Sequence, residues 1–163
     1  MKQRVLSVSV VVALATSFPS TFARQAGAAQ GAPGGVLAGA LRSHVNGERF
    51  GLVTSLRGLP LGVRGQLQVL FGTDTLDIVD PDGPFDPRSP TRRLVAAGCS
   101  SDHCLVYYER GGSAHTWQVA LFHWTPEATR FEWGGAAPSG LKTIDDVRGA
   151  VLAGAIRSAP TTW

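Results

Sequence analysis

The chain has 163 residues, 44% of them apolar, with 15 Lys+Arg against 12 Asp+Glu. That length makes one domain with enough apolar residues for a core. Three of the cations, Lys2, Arg4 and Arg24, fall within residues 1–28 and no acid does, so the remainder carries twelve of each sign and lacks the clustered basic footprint that nucleic-acid binding requires.

The first segment reads as an address. Lys2 and Arg4 form a short positive stretch, and residues 5–15 are apolar apart from small serines. Thr21-Phe22-Ala23 and Ala26-Gly27-Ala28 then offer small side chains to a signal peptidase. The apolar run is shorter than the ~20 residues a membrane-spanning helix needs. The pattern predicts a cleavable secretory signal over residues 1–28, a mature start between Arg24 and Ala29, a periplasmic or secreted product, and no membrane span in that product. Residues 29–48 read as a flexible leader, 49–158 as a single domain and 159–163 as a tail. His44, in a polar stretch before Asn46-Gly47, is expected on the surface. Val36-Leu-Ala-Gly-Ala-Leu-Arg-Ser43 nearly recurs as residues 151–158, too short a match to make a repeat architecture.

Within the domain, residues 50–56 suit a strand or a short helix. Pro60 opens a predicted helix to Phe71, with Val63, Leu67, Leu70 and Phe71 at helical spacing and Gly72 as its stop. Residues 75–79 read as a short strand. Residues 80–90 hold four prolines and therefore a surface loop; Asp80, Asp82 and Asp86 within it have the wrong spacing for an EF-hand and read as turn residues. Residues 93–98, 105–110, 116–124 and 130–133 are β-rich runs joined by short connections, which predicts an antiparallel meander. Along the third run Trp117, Val119, Leu121 and His123 share one face, and Gln118, Ala120, Phe122 and Trp124 the other. With both faces apolar, helices should cover at least one of them. One is predicted near residue 144, capped by Thr143, with Asp145 and Asp146 at its positive end and Ile144, Val147, Val151 and Leu152 as the buried stripe. The fold class is thus α+β, a sheet of about four or five antiparallel strands flanked by helices.

Chemistry concentrates in Gly98-Cys99-Ser100-Ser101-Asp102-His103-Cys104. Cys99 and Cys104 are the only cysteines, and in an exported chain such a pair reads as a disulfide. Two thiols do not close a zinc shell, even with His103 as a third ligand. So small a ring fixes loop shape more than it staples the fold, and a stiff loop binds at low entropic cost. Ser100, Ser101, Asp102 and His103 are therefore the candidate partner-binding residues, with His123 in support through an expected cross-strand pairing with Asp102. His115 and His123, eight residues apart on one strand, are too distant to share a metal. No nucleophile elbow, Walker loop, dinucleotide fingerprint or His-Glu-x-x-His motif occurs. Two other functions stay open: an envelope module that binds a ligand on the aromatic sheet face, and a small hydrolase built on Ser100 and His123.

On these residues the chain resembles the inhibitor of vertebrate lysozyme family, whose periplasmic α+β members carry a protruding Cys-x-x-His-Asp-Cys loop. Cys99-Ser-Ser-Asp-His-Cys104 has the same loop length, cysteines and polar pair, with Asp102 before His103 instead of after it. The resemblance covers residues 93–156, including the terminal small-residue helix, and extends upstream to Leu59-Pro60. It implies a protein partner, a lysozyme, whose paired active-site carboxyls would meet His103 on the loop tip. It calls for no catalytic residue, metal or cofactor, and leaves room for a homodimer.

Overall fold

The structure, a computed structural model, describes residues 37, 39–72, 76–84, 91–112 and 115–158. The secretory signal with its cut sites, Asp86 and the tail lie outside the described residues. Seven strands form one sheet: β1 Gly51–Val53, β2 Ile78–Val79, β3 Arg92–Cys99, β4 His103–Arg110, β5 Thr116–Trp124, β6 Thr129–Ala137 and β7 Arg157–Ser158. The helices are α1 Gly39–Gly47, α2 Leu61–Phe71 and α3 Ile144–Leu152. Among the described residues, no helix is long and apolar enough to cross a membrane.

The predicted meander is β3 through β6, paired antiparallel in sequence order. It is larger than expected because three short strands join its edges. β1 pairs antiparallel with Ala97–Cys99 and β2 parallel with Arg92 and Arg93, so the two lie end to end along one edge of β3. At the other edge β7 pairs with Gly135 and Ala136, carrying β6 past the Trp133 limit read from the sequence. Glycine is required there, since a Cβ on Gly135 would collide with the carbonyl of Arg157.

Alternation along β4 and β5 builds two cores. Leu105, Tyr107, Val119 and Leu121 pack with Val45 of α1 and Ile144, Val147 and Val151 of α3. Val106, Tyr108, Ala120 and Phe122 pack on the opposite face with Val63 and Leu67 of α2. Helices thus cover both faces of the sheet. α2 ends at Gly72, whose φ of 66° gives the left-handed stop expected of it. Thr143 caps α3 in a full capping box with Asp146. The Asp80 carboxylate accepts the backbone N–H of Leu56 and so anchors a 3-10 turn at Leu56–Gly58.

One boundary needs correction. Residues 39–47, expected within a flexible leader, form α1, and Val45 is fully buried. Leu37, Leu41 and Val45 recur every fourth residue and lay an apolar stripe against the sheet. Arg148 of α3 donates to the carbonyls of Val45 and Asn46, closing the C-terminal end of α1. The domain therefore includes residues the sequence assigned to the leader, and this addition reshapes the site.

Candidate functional site

Cys99 and Cys104 face each other across the β3–β4 hairpin, their Cα atoms 4.1 Å apart, and are disulfide-bonded. Inside the ring the Ser100 N–H donates to the His103 carbonyl at 2.7 Å, and the His103 N–H donates back to the Ser100 hydroxyl at 3.0 Å. The turn is consequently short, and His103 is the first residue of β4 instead of part of a projecting tip. It pairs with His123, while the Trp124 N–H donates to the Asp102 carbonyl. The expected Asp102–His123 pairing is therefore one residue out of register, because five residues separate the paired Arg110 and Thr116.

The register decides where the imidazole goes. His103 shares its face with Leu105 and Tyr107, and that face is covered by α1. Its side chain is only 5% exposed. The loop tip expected to present His103 presents Ser101, which is exposed, and the Asp102 carboxylate, 34% exposed.

Around His103 the fold gathers two further histidines and three carboxylates. Nδ1 lies 3.1 Å from Asp102 Oδ1 and 3.1 Å from Glu48 Oε1, and Nε2 lies 3.2 Å from Glu132 Oε2. The ring meets those of His44 and His123 edge-on at centroid distances of 4.4 and 5.1 Å. His44 is exposed, as expected, and its Nε2 contacts Glu48 Oε1 and lies 3.2 Å from Asp102 Oδ2, so this surface residue also belongs to the cluster. Ser100 donates its hydroxyl to Glu48 Oε2. Arg130 Nη2 donates to Glu132 Oε1 at 2.6 Å. Partial desolvation raises the Asp102 carboxyl, but hydrogen bonds and charge from His103 and then His44 outweigh it, and the group is held below its ordinary range.

Two of these residues had no role in the sequence reading. Glu48 stands four residues after His44, and its N–H donates to the His44 carbonyl, continuing the helical pattern. That spacing, with the Leu37, Leu41 and Val45 stripe, was the available signal. Glu132 is the extra residue of a β-bulge: Phe131 and Trp133 pair with the adjacent Phe122 and Leu121. The bulge re-aims Glu132 onto His103, and no local pattern announces it.

The remaining candidates fare differently. The residue facing His123 is His103, and the Ser100 hydroxyl is taken up by Glu48, so the pairing of Ser100 with His123 that a hydrolase needs gains no support. Tyr107 and Trp133 lie in the core beneath α1 and α3, and Tyr107 donates to the Pro138 carbonyl at 2.7 Å. Burial pushes the Tyr107 hydroxyl up to about 12. On the aromatic face proposed for ligand binding, Tyr107 and Trp133 are therefore packing residues, while Trp117 is half-buried and stacks on His115. No protein-family model, curated protein or solved structure matches the chain.

Proposed function

We propose that this chain is an exported, non-enzymatic protein that binds a protein partner through the outer edge of the Cys99–Cys104 loop, and that the partner is a lysozyme. The observation that carries the reading is the loop's placement. Helices cover both faces of the sheet, whereas the clipped ring stands at its end with Ser101 exposed and the Asp102 carboxylate partly so. A ring closed by a disulfide loses little freedom on docking. The loop length, its polar pair and the order of flanking strands and helix are the features shared with lysozyme inhibitors.

The inward turn of His103 changes the contact from the one the resemblance implies. The groups on offer are the Ser101 hydroxyl and the Asp102 carboxylate, which can accept from a basic side chain at the rim of a lysozyme cleft while the ring blocks substrate. His103 acts from behind, holding Asp102 in place.

Inhibition assays of the purified protein against goose-, chicken- and invertebrate-type lysozymes test this. At least one enzyme should be inhibited, and Ser101→Trp, which adds bulk at the exposed edge, should weaken inhibition at least about tenfold. Failure to inhibit any of the three, or undiminished inhibition by the Trp variant, would reject the reading.

A further inference from the structure

The cluster behind the loop has a donor set and a geometry of its own. Four donor groups, His44, Glu48, Asp102 and His103, converge with their ligand atoms all within 4.8 Å of one another. Around a tetrahedral zinc ion at its usual bond lengths, neighbouring donor atoms stand ~3.4 Å apart. Here His103 Nδ1 stands 3.1 Å from oxygens of both carboxylates, and His44 Nε2 stands 3.2 Å from Asp102 Oδ2. The four come from two rigid pieces, α1 with its helical continuation at Glu48 and the disulfide-closed ring.

Glu48 Oε1 is the atom that hydrogen bonding leaves unexplained. It is buried, two imidazole nitrogens approach it, and yet no N–H is aligned to donate to it. A buried carboxylate oxygen without a donor is costly. Ser100 occupies the other oxygen, Oε2, which leaves Oε1 directed at the two rings.

The surroundings complete the pattern of a metal-binding histidine. Nε2 of His103 faces Glu132, which Arg130 in turn holds. A histidine that gives its Nε2 proton to a carboxylate keeps a lone pair on Nδ1, and that partner fixes the ring and raises its basicity as a ligand. His103, His123 and Glu132 also bring three ligand atoms together, but with one donor fewer. The first group opens to solvent through His44, whose side chain is 45% exposed, so an ion has a way in.

We propose that His44, Glu48, Asp102 and His103 bind a divalent transition-metal ion, with zinc favoured by the mixed imidazole–carboxylate donors and the four-fold count. Glu132 is the positioning residue for His103. The site shares Asp102 with the loop edge offered to a partner, but it is argued from the donor geometry alone and does not depend on the identity of the partner protein.

The test is zinc titration of the purified, chelator-stripped protein by calorimetry, with cobalt(II) absorption reporting coordination geometry. The wild-type protein should bind one equivalent, show tetrahedral cobalt bands, and gain thermal stability with zinc. Glu132→Gln should lose roughly 10- to 100-fold in affinity, as removal of a partner behind a ligand does. His44→Ala and Glu48→Gln should lose more than that, and His115→Ala, the histidine outside the cluster, should bind as wild type. Circular dichroism establishes that each variant is folded. The proposal is overturned if folded wild-type protein binds no zinc at micromolar concentrations, if His44→Ala or Glu48→Gln binds as wild type, or if His123→Ala abolishes binding while His44→Ala does not.

Discussion

At the end of the sheet away from the clipped loop, the Glu109 side chain of β4 is 7% exposed and accepts from Nε and Nη2 of Arg93 at 3.0 and 2.6 Å, with His115 beside it. At the loop end the Glu48 side chain, 13% exposed, meets His44 and His103. Both glutamates are largely withdrawn from water, so each needs compensation for its charge. Arg93 carries a charge at every accessible pH and matches a carboxylate in shape. An imidazole carries a charge only when protonated, and otherwise offers a lone pair that competes with the carboxylate for a cation. Among the described residues, the ion-pair partners of Glu48 and Asp102 are imidazoles. The far end is therefore held by a permanent ion pair, whereas the loop end leaves its carboxylates to imidazoles, the arrangement on which the proposed metal site rests.

The largest effect separates the two ends by stability alone. Arg93→Ala leaves the Glu109 carboxylate without its guanidinium and should cost about 2–3 kcal/mol, less than a fully buried pair would because Arg93 is partly exposed. Glu48→Gln, measured without metal, removes a charge that has no permanent counterion and keeps the shape and the Ser100 hydrogen bond. It should change stability by less than about 1 kcal/mol in either direction. Urea unfolding at pH 7 in the presence of chelator measures both. Equal losses at the two ends would erase the distinction.

The disulfide comes next. Replacing Cys99 and Cys104 together with serine releases a very small ring and should cost about 2 kcal/mol. The domain should remain folded, since β3 and β4 stay paired along their length. The loss should be felt at the loop end: inhibition and zinc affinity should fall in the double variant, while the near-ultraviolet signal of the buried tyrosines persists. Global unfolding of the variant at 25 °C would make the bond a staple of the whole fold and contradict the local role assigned to it.

Much of the fold was legible because it repeats. β-rich runs joined by short connections located β3 through β6, and alternation along the third run assigned opposite faces to Val119 and Ala120; helical spacing and capping chemistry located α2 and α3; and the cysteine pair announced its bond. The site was less legible because it depends on what covers a strand end. Sequence alternation could place His103 on a face, but only α1 decides that the face is closed there, and α1 is short, with a glycine at either end. The near-repeat shows how weak such local signals are. Residues 39–43 form the first turns of α1, whereas the matching 154–158 form a turn with Gly154 at φ 71° and then β7. Tertiary packing overrides propensity at both places. Glu132 was hidden for another reason: a bulge shifts register without leaving a mark in the pattern.

The smallest effect concerns a carboxylate settled in a third way, by neither guanidinium nor imidazole. Asp146 is fully exposed, and its acidity is set by the start of α3: the Thr143 hydroxyl and then the backbone N–H groups of Lys142 and Thr143 hold its carboxyl below the ordinary range. Because the folded protein prefers the ionised form, the stability this group contributes is present in full above its unfolded-state pKa. It is lost as pH falls through the lower folded-state value. Asp146→Asn should therefore flatten part of the acid limb of a stability–pH curve while leaving the limb above the carboxylate range unchanged. Thr143→Ala removes the hydroxyl half of the same capping box and should cost about 1 kcal/mol at neutral pH. Neither change should alter zinc affinity, because both lie outside the cluster at the loop end. A Thr143→Ala variant with wild-type stability, or an Asp146→Asn variant with the same acid limb as wild type, would show that the box is formed but carries no weight in holding α3 on the sheet.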